Sequence, residues 1–220
     1  MSLDRLLGRL PDPAQPFLTY YDDTTGERVE LSGVTAANWV AKTSNFLVDE
    51  LETEPGTRVR IGLPSHWLRF VWLLSCWSVG AVVADADADL GVSGPDLVAD
   101  EAVRVAASLR PLGARFAEPP AGFLDLGAEV PGHGDVFVAL DPPTPNTPAL
   151  DLDGQRMTHA ELAGATEPSA RRLLLRPGPV RRDVDRLVAA GLGGGSLVVV
   201  TGADDAVVAR IAEQERAEVA

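Results

Sequence analysis

The sequence predicts an α/β fold in three layers, a mainly parallel sheet flanked by helices. Three observations carry this. Arg58-Val59-Arg60-Ile61-Gly62-Leu63, a Trp-rich apolar helix and Ala81-Val82-Val83-Ala84 make one strand–helix–strand series. Leu173-Leu174-Leu175, a helix around 184–190 and Leu197-Val198-Val199-Val200 make another. The 220 residues, 45% of them hydrophobic, suffice to bury the core such layers need.

The elements follow in order. Phe17-Leu18-Thr19-Tyr20-Tyr21 and Arg28-Val29-Glu30-Leu31 flank a polar, Gly-containing turn and read as a hairpin. Ser32 is a candidate cap for a helix reaching about Glu54, with Ala36, Val40, Leu47 and Leu51 on one stripe. Pro55-Gly56 ends it, and Pro64-Ser65 opens the Trp-rich helix through Ser78. Beyond Gly80 the pattern predicts a strand over 96–99, a helix over 101–109 and a buried strand over 136–140. Four prolines in 141–148 exclude regular structure there. A small hairpin turns at Asp153-Gly154, and a helix follows from Thr158. The last helix runs from about Asp204 to Glu218. We read 1–220 as one domain, with possible sub-halves 1–134 and 135–220.

Composition excludes several function classes. The net charge of −13 argues against binding nucleic acid or an anionic membrane. One cysteine excludes a disulfide framework and a Cys-based zinc site. The apolar run 70–84 is shorter than the ~20 residues of a bilayer crossing, and residues 1–9 lack the long apolar stretch of a signal peptide. The expected location is the cytoplasm. Of 19 basic residues only Lys42 is a lysine, the mark of a GC-rich bacterial genome.

Apparent sites mostly have structural explanations. Gly191-Leu192-Gly193-Gly194-Gly195-Ser196 follows a helix and opens a strand, the reverse of a phosphate cradle, so it reads as a helix C-cap. Thr201-Gly202-Ala203-Asp204-Asp205 has the right polarity, but its two carboxylates repel phosphate. Asp85-Ala86-Asp87-Ala88-Asp89-Leu90-Gly91 lacks the glycine and glutamate positions of a calcium loop. His66, His133 and His159 sit beside no Gly-x-Ser-x-Gly turn and are not spaced for metal. Cys76 reads as a buried, inert thiol.

Five segments in order resemble the N-terminal part of the adenylate-forming superfamily, which includes acyl-CoA synthetases, peptide-synthetase adenylation domains and luciferases. The early hairpin and helix come first. Glu54-Pro55-Gly56-Thr57-Arg58-Val59-Arg60-Ile61-Gly62-Leu63-Pro64-Ser65 is similar to the family's GDRVAILLPNS region, and Ser75-Cys76-Trp77-Ser78-Val79-Gly80-Ala81-Val82-Val83 to its LAALKAGAVVVPL element. Asp153-Gly154-Gln155-Arg156-Met157-Thr158-His159-Ala160-Glu161-Leu162 resembles the PKGVxxTHxxL end of the ATP phosphate loop. Gly194-Gly195-Ser196-Leu197-Val198-Val199-Val200 and Ile211-Ala212-Glu213-Gln214-Glu215-Arg216 resemble the GATVVL…IEKER close.

The resemblance also implies losses. Where the family has TSGTTGxPKG, this chain has Pro145-Asn146-Thr147-Pro148-Ala149-Leu150-Asp151-Leu152-Asp153-Gly154. Only Gly154 matches; prolines remove donors, and Asp153 stands where the family's lysine offsets phosphate charge. Full members continue for several hundred residues, carrying the ribose and metal ligands and a lid with the catalytic lysine. The expectation is therefore a non-catalytic, pseudoenzyme-like remnant of an acyl-CoA synthetase-like domain that works as a binding or interaction module. It needs no cofactor, no metal and no catalytic residue. The alternative is a residual nucleotide-, acyl- or CoA-binding enzyme whose cleft lies near Gly154, Thr158, His159 and the loop after Leu140, completed where needed by a partner chain. For the module, the partner is a second copy or another protein.

Overall fold

A computed structural model describes residues Met1 to Ala220. Strands β1 (Pro16–Asp22) and β2 (Glu27–Ser32) form the expected hairpin, and Ser32 caps α1 (Gly33–Asp49) by accepting from the Thr35 N–H. Then come β3 (Arg58–Gly62), α2 (Trp67–Val79), β4 (Val82–Ala84), β5 (Leu90–Ser93), β6 (Val103–Ala106), β7 (Leu124–Asp125) and the one-turn α3 (Leu126–Glu129). The hairpin β8 (Pro148–Leu152) and β9 (Gln155–Thr158) precedes α4 (His159–Ala165). The chain closes with β10 (Arg172–Leu175), α5 (Val180–Gly193), β11 (Ser196–Thr201), α6 (Asp205–Glu215) and β12 (Glu218–Val219).

The predicted α/β class and its three layers hold, with the strands shared between two sheets. The smaller has the order β12-β10-β11-β1-β2, the larger β7-β6-β5-β3-β4-β8-β9. Every pairing is parallel except the β1–β2 and β8–β9 hairpins and the lone Arg110–Ala114 bridge. Helix α2 lies between the sheets, touching β3 and β4 of one and β1 of the other. All its residues but Ser78 are buried, which accounts for an apolar sequence around its whole circumference. The Trp77 indole donates to the Ala149 carbonyl at 3.2 Å and ties the helix to β8. Residues alternate across the smaller sheet. Leu173, Leu175, Leu197 and Val199 join the main core, while Leu174, Val198 and Val200 pack with Val208 and Ile211 of α6 on the outer face. No helix is long and apolar enough to cross a membrane.

Four sequence expectations are overturned. The strand over 96–99 and the helix over 101–109 give way to β5 and β6, paired in parallel. Val103 and Val105 are spaced for a strand, and Gly91 in β5 leaves room for the Glu101 carboxylate crossing over it. Residues 136–140 form no strand; Val136 and Val138 are 77% exposed and Leu140 is fully so. Their alternation matches strand geometry, but no neighbouring strand pairs with them. The first helix also ends at Asp49, short of Glu54.

Candidate functional site

The residues matching the phosphate-loop motif fall on the β8–β9 hairpin and the start of α4. Asp153 (φ 52°) and Gly154 (φ 72°) supply the two left-handed residues of a tight hairpin turn. The register runs Leu152 opposite Gln155, Asp151 opposite Arg156 and Leu150 opposite Met157. The Asp153 N–H donates to the Asp85 carboxylate at 2.7 Å, joining the turn to the end of β4. Asp151 accepts from Arg58 at 2.9 Å and Arg156 at 3.0 Å, and the Arg58 hydrogen bond foremost holds its carboxyl below the usual range.

Thr158 and His159 open α4, and both are engaged in structure. The Thr158 hydroxyl accepts from the Glu161 N–H, while its own N–H and hydroxyl donate to the Glu161 carboxylate at 2.8 and 2.9 Å. This reciprocal capping box lowers the Glu161 pKa, chiefly through the Thr158 backbone bond. His159 is fully buried, and its Nδ1 accepts from the Leu3 N–H at 2.9 Å. Accepting at Nδ1 places the neutral ring's proton on Nε2, which has no partner. Desolvation pushes the His159 pKa down to about 4.

The remaining helix-end donors are taken as well. The His159 N–H donates to the Thr147 carbonyl at 3.0 Å and the Ala160 N–H to the Pro145 carbonyl at 2.8 Å. The proline-rich loop thus presents oxygens where an anion would need donors. Thr158 and His159 are adjacent, but Gly154 lies at the far end of β9, and adding a Cβ there would meet nothing within 4 Å. The loop after Leu140 does reach Thr158 and His159, through the Pro145 and Thr147 carbonyls, while its first residue, Asp141, lies beside Val48, Pro55 and Val79.

Two hollows flank the hairpin. One, of about 210 Å³, lies at the carboxyl ends of β3, β4 and β8 against the start of α5, where parallel α/β sheets usually place ligands. Its arginines are occupied: Arg60 pairs with Glu101, and Arg181 with Asp185 and Gln155. Neither Thr158 nor His159 lines it. The other, about 340 Å³, has Thr158, Glu161, Arg58 and Arg156 on its walls and both arginines on Asp151; His159 is not among its lining.

The other sequence candidates are likewise structural. His66 caps α2, accepting from the Leu68 N–H at 3.2 Å, and burial pushes its pKa down to about 4. His133 packs edge-on against Phe46. Burial pushes the Cys76 thiol up to about 12. Asp89 accepts from the Arg58 N–H, and no group of three or more His, Cys, Asp or Glu is placed to hold a metal. Gly194 (φ 73°) is the predicted C-cap. Sequence reasoning missed one buried network. Arg69, the only charge on α2, bonds Asp183 at 2.6 Å and the Leu63 and Gly178 carbonyls at 2.8 and 2.9 Å. A lone arginine in an apolar helix was its available signal.

Comparison with known proteins places this geometry. The chain is 38% identical over 214 residues to a TIGR03089 family protein of Mycobacterium tuberculosis, covering 90% of this chain and 88% of that protein. No family model matches it. Among solved structures, the acyl-CoA synthetase of Brucella canis superposes with a TM-score of 0.76 at 13% identity, over 100% of this chain and 47% of that one. The N-terminal domain of FACL13 from M. tuberculosis gives 0.73 at 14% identity, covering 99% and 61%. Acetoacetyl-CoA synthetase from Streptomyces lividans gives 0.73 at 19% identity, covering 98% and 40%. The chain therefore spans about half the length of these structures and shares their fold.

Proposed function

Because this chain belongs to the TIGR03089 family and has the fold of an acyl-CoA synthetase N-terminal domain, we propose that it works as a non-catalytic binding or interaction module. One observation carries the reading: the backbone donors that open α4 are already taken by the Pro145 and Thr147 carbonyls and the Thr158 hydroxyl. An incoming phosphate would have to displace all three contacts. Burial of His159 against Leu3 supports the same reading, since a ring with no exposed nitrogen cannot meet a substrate. A bacterial, cytoplasmic protein fits the arginine-rich composition and the mycobacterial relative.

A thermal melt with and without ATP·Mg²⁺, AMP, CoA and an acyl-CoA tests this. A ligand at 100 times its Kd stabilises by about 2.7 kcal/mol, which in a chain of this length raises Tm by several degrees. The module reading expects no shift with ATP or AMP. A shift of several degrees with either would sink it in favour of a nucleotide-using enzyme, completed by a partner chain. A shift with CoA compounds alone would instead identify a module that binds the CoA group.

A further inference from the structure

Residues 136–140 have strand spacing but no sheet to join, and they border an apolar groove of about 180 Å³. Phe137 and Ala139 turn toward Val48 and Val79, leaving Val136, Val138 and Leu140 exposed. The main chain of 137–143 makes no hydrogen bond within the protein. The segment is nonetheless held in place. Asn45 donates to the Gly134 and Val136 carbonyls at 3.0 Å, and Lys42 bonds the His133 carbonyl at 2.6 Å and Asp135 at 2.9 Å. Pro142 and Pro143, which lack donors, end the pairable stretch. A fixed, unpaired, apolar strand is a template for adding another strand.

Charge selects the occupant. Glu54 and Asp141 line the groove, Glu50 and Glu52 stand exposed in the turn leading to Glu54, and none of the four is in an ion pair. No basic residue lines the groove. A second copy is a poor match. Antiparallel self-pairing about Val138 sets Asp135 against Asp141, like charges directly opposite, in a chain already at −13. We propose that residues 137–141 dock an extended segment of a different protein, apolar in alternation and flanked by lysine or arginine, which adds as a strand and fills the groove. This rests on the module reading and names its partner chemistry.

The probes are two labelled synthetic peptides of nine residues, each with three valines in alternation with threonine. One has paired lysines at both ends, the other paired glutamates. Fluorescence anisotropy against the intact protein should show the lysine-flanked peptide binding at least tenfold more tightly, and weakening as salt rises from 50 to 500 mM. Val138→Ser with Leu140→Ser should abolish binding while leaving the melt unchanged. Glu54→Lys with Asp141→Lys should reverse the peptide preference. Equal binding of both peptides, binding by neither, or binding that survives the double serine variant overturns the proposal. A dimer in sedimentation that Val138→Lys dissolves would overturn it too, assigning the face to a second copy. Failure here without a nucleotide shift in the melt defeats only this docking site; a nucleotide shift defeats the module reading itself.

Discussion

The β8–β9 hairpin and the segment 136–140 lie within twenty residues of each other and have opposite fates. Around the hairpin and the start of α4, polar groups are paired: Asp153 with Asp85, Thr158 with Glu161, His159 with Leu3. Along the neighbouring segment Val136, Val138 and Leu140 face solvent, and the backbone of 137–140 is unpaired. Where the adenylate-forming resemblance puts chemistry, the backbone donors are taken by the protein's own oxygens, and in the neighbouring segment they are free. Sealed donors and open strand edges are alternative uses of the same polar backbone.

That contrast can be broken or sharpened at several points. The largest effect is expected on the sealed side. Arg69→Ala takes the 2.6 Å ion pair from buried Asp183, leaving it Arg182 at 3.2 Å and Ser65 at 3.3 Å, strips the Leu63 and Gly178 carbonyls of their donor, and should cost about 3–5 kcal/mol in urea unfolding. A cost below about 1 kcal/mol would mean that the start of α5 is not held by this pair.

Acid should act nearly as strongly. His66 and His159 are kept neutral down to about pH 4, mainly by desolvation, against an ordinary value of 6.5. The unfolded chain therefore binds more protons between those limits. The stabilisation is complete above pH 6.5 and drains away as pH falls toward 4. For two such groups the loss between pH 7 and pH 5 is about 3–4 kcal/mol. His159→Gln should remove about half of that slope, and an unchanged slope would show that the ring is not buried.

Smaller effects separate the two regions further. Thr158→Ala removes the cap of α4 and should lower stability by about 1 kcal/mol. Val138→Lys should stay within about 0.5 kcal/mol of the parent, as exposed positions do. Should Val138→Lys prove the costlier of these two, the open region is not open and the contrast fails.

Much of this was readable before any coordinates. The Ser32 cap, the Asp153-Gly154 turn, the helix start at Thr158 and the glycine-rich C-cap within 191–196 each announce a local geometry through their own chemistry, and each sits where that chemistry puts it. Strands β5 and β6 were hidden because four residues carry little periodic signal and Gly91 breaks it. Residues 136–140 misled in the other direction, since an unbroken apolar run reads as a buried strand but burial depends on a neighbour. The adjacency of Thr158 and His159 was plain. What occupies them was not, because the Leu3 N–H comes from 156 residues away and the Pro145 and Thr147 oxygens come from a loop without pattern.

The place of β1 has a consequence for synthesis. It lies inside the smaller sheet, with β2 on one side and β11 on the other, Leu18 opposite Leu197 and Asp22 opposite Thr201. Its second neighbour is thus translated some 170 residues later, a delay of roughly ten to thirty seconds at ribosomal rates of about 5–20 residues per second. During that interval the Leu18-Thr19-Tyr20-Tyr21 edge has no strand against it. A chaperone that holds extended apolar segments would find its target there, at the β1–β2 hairpin.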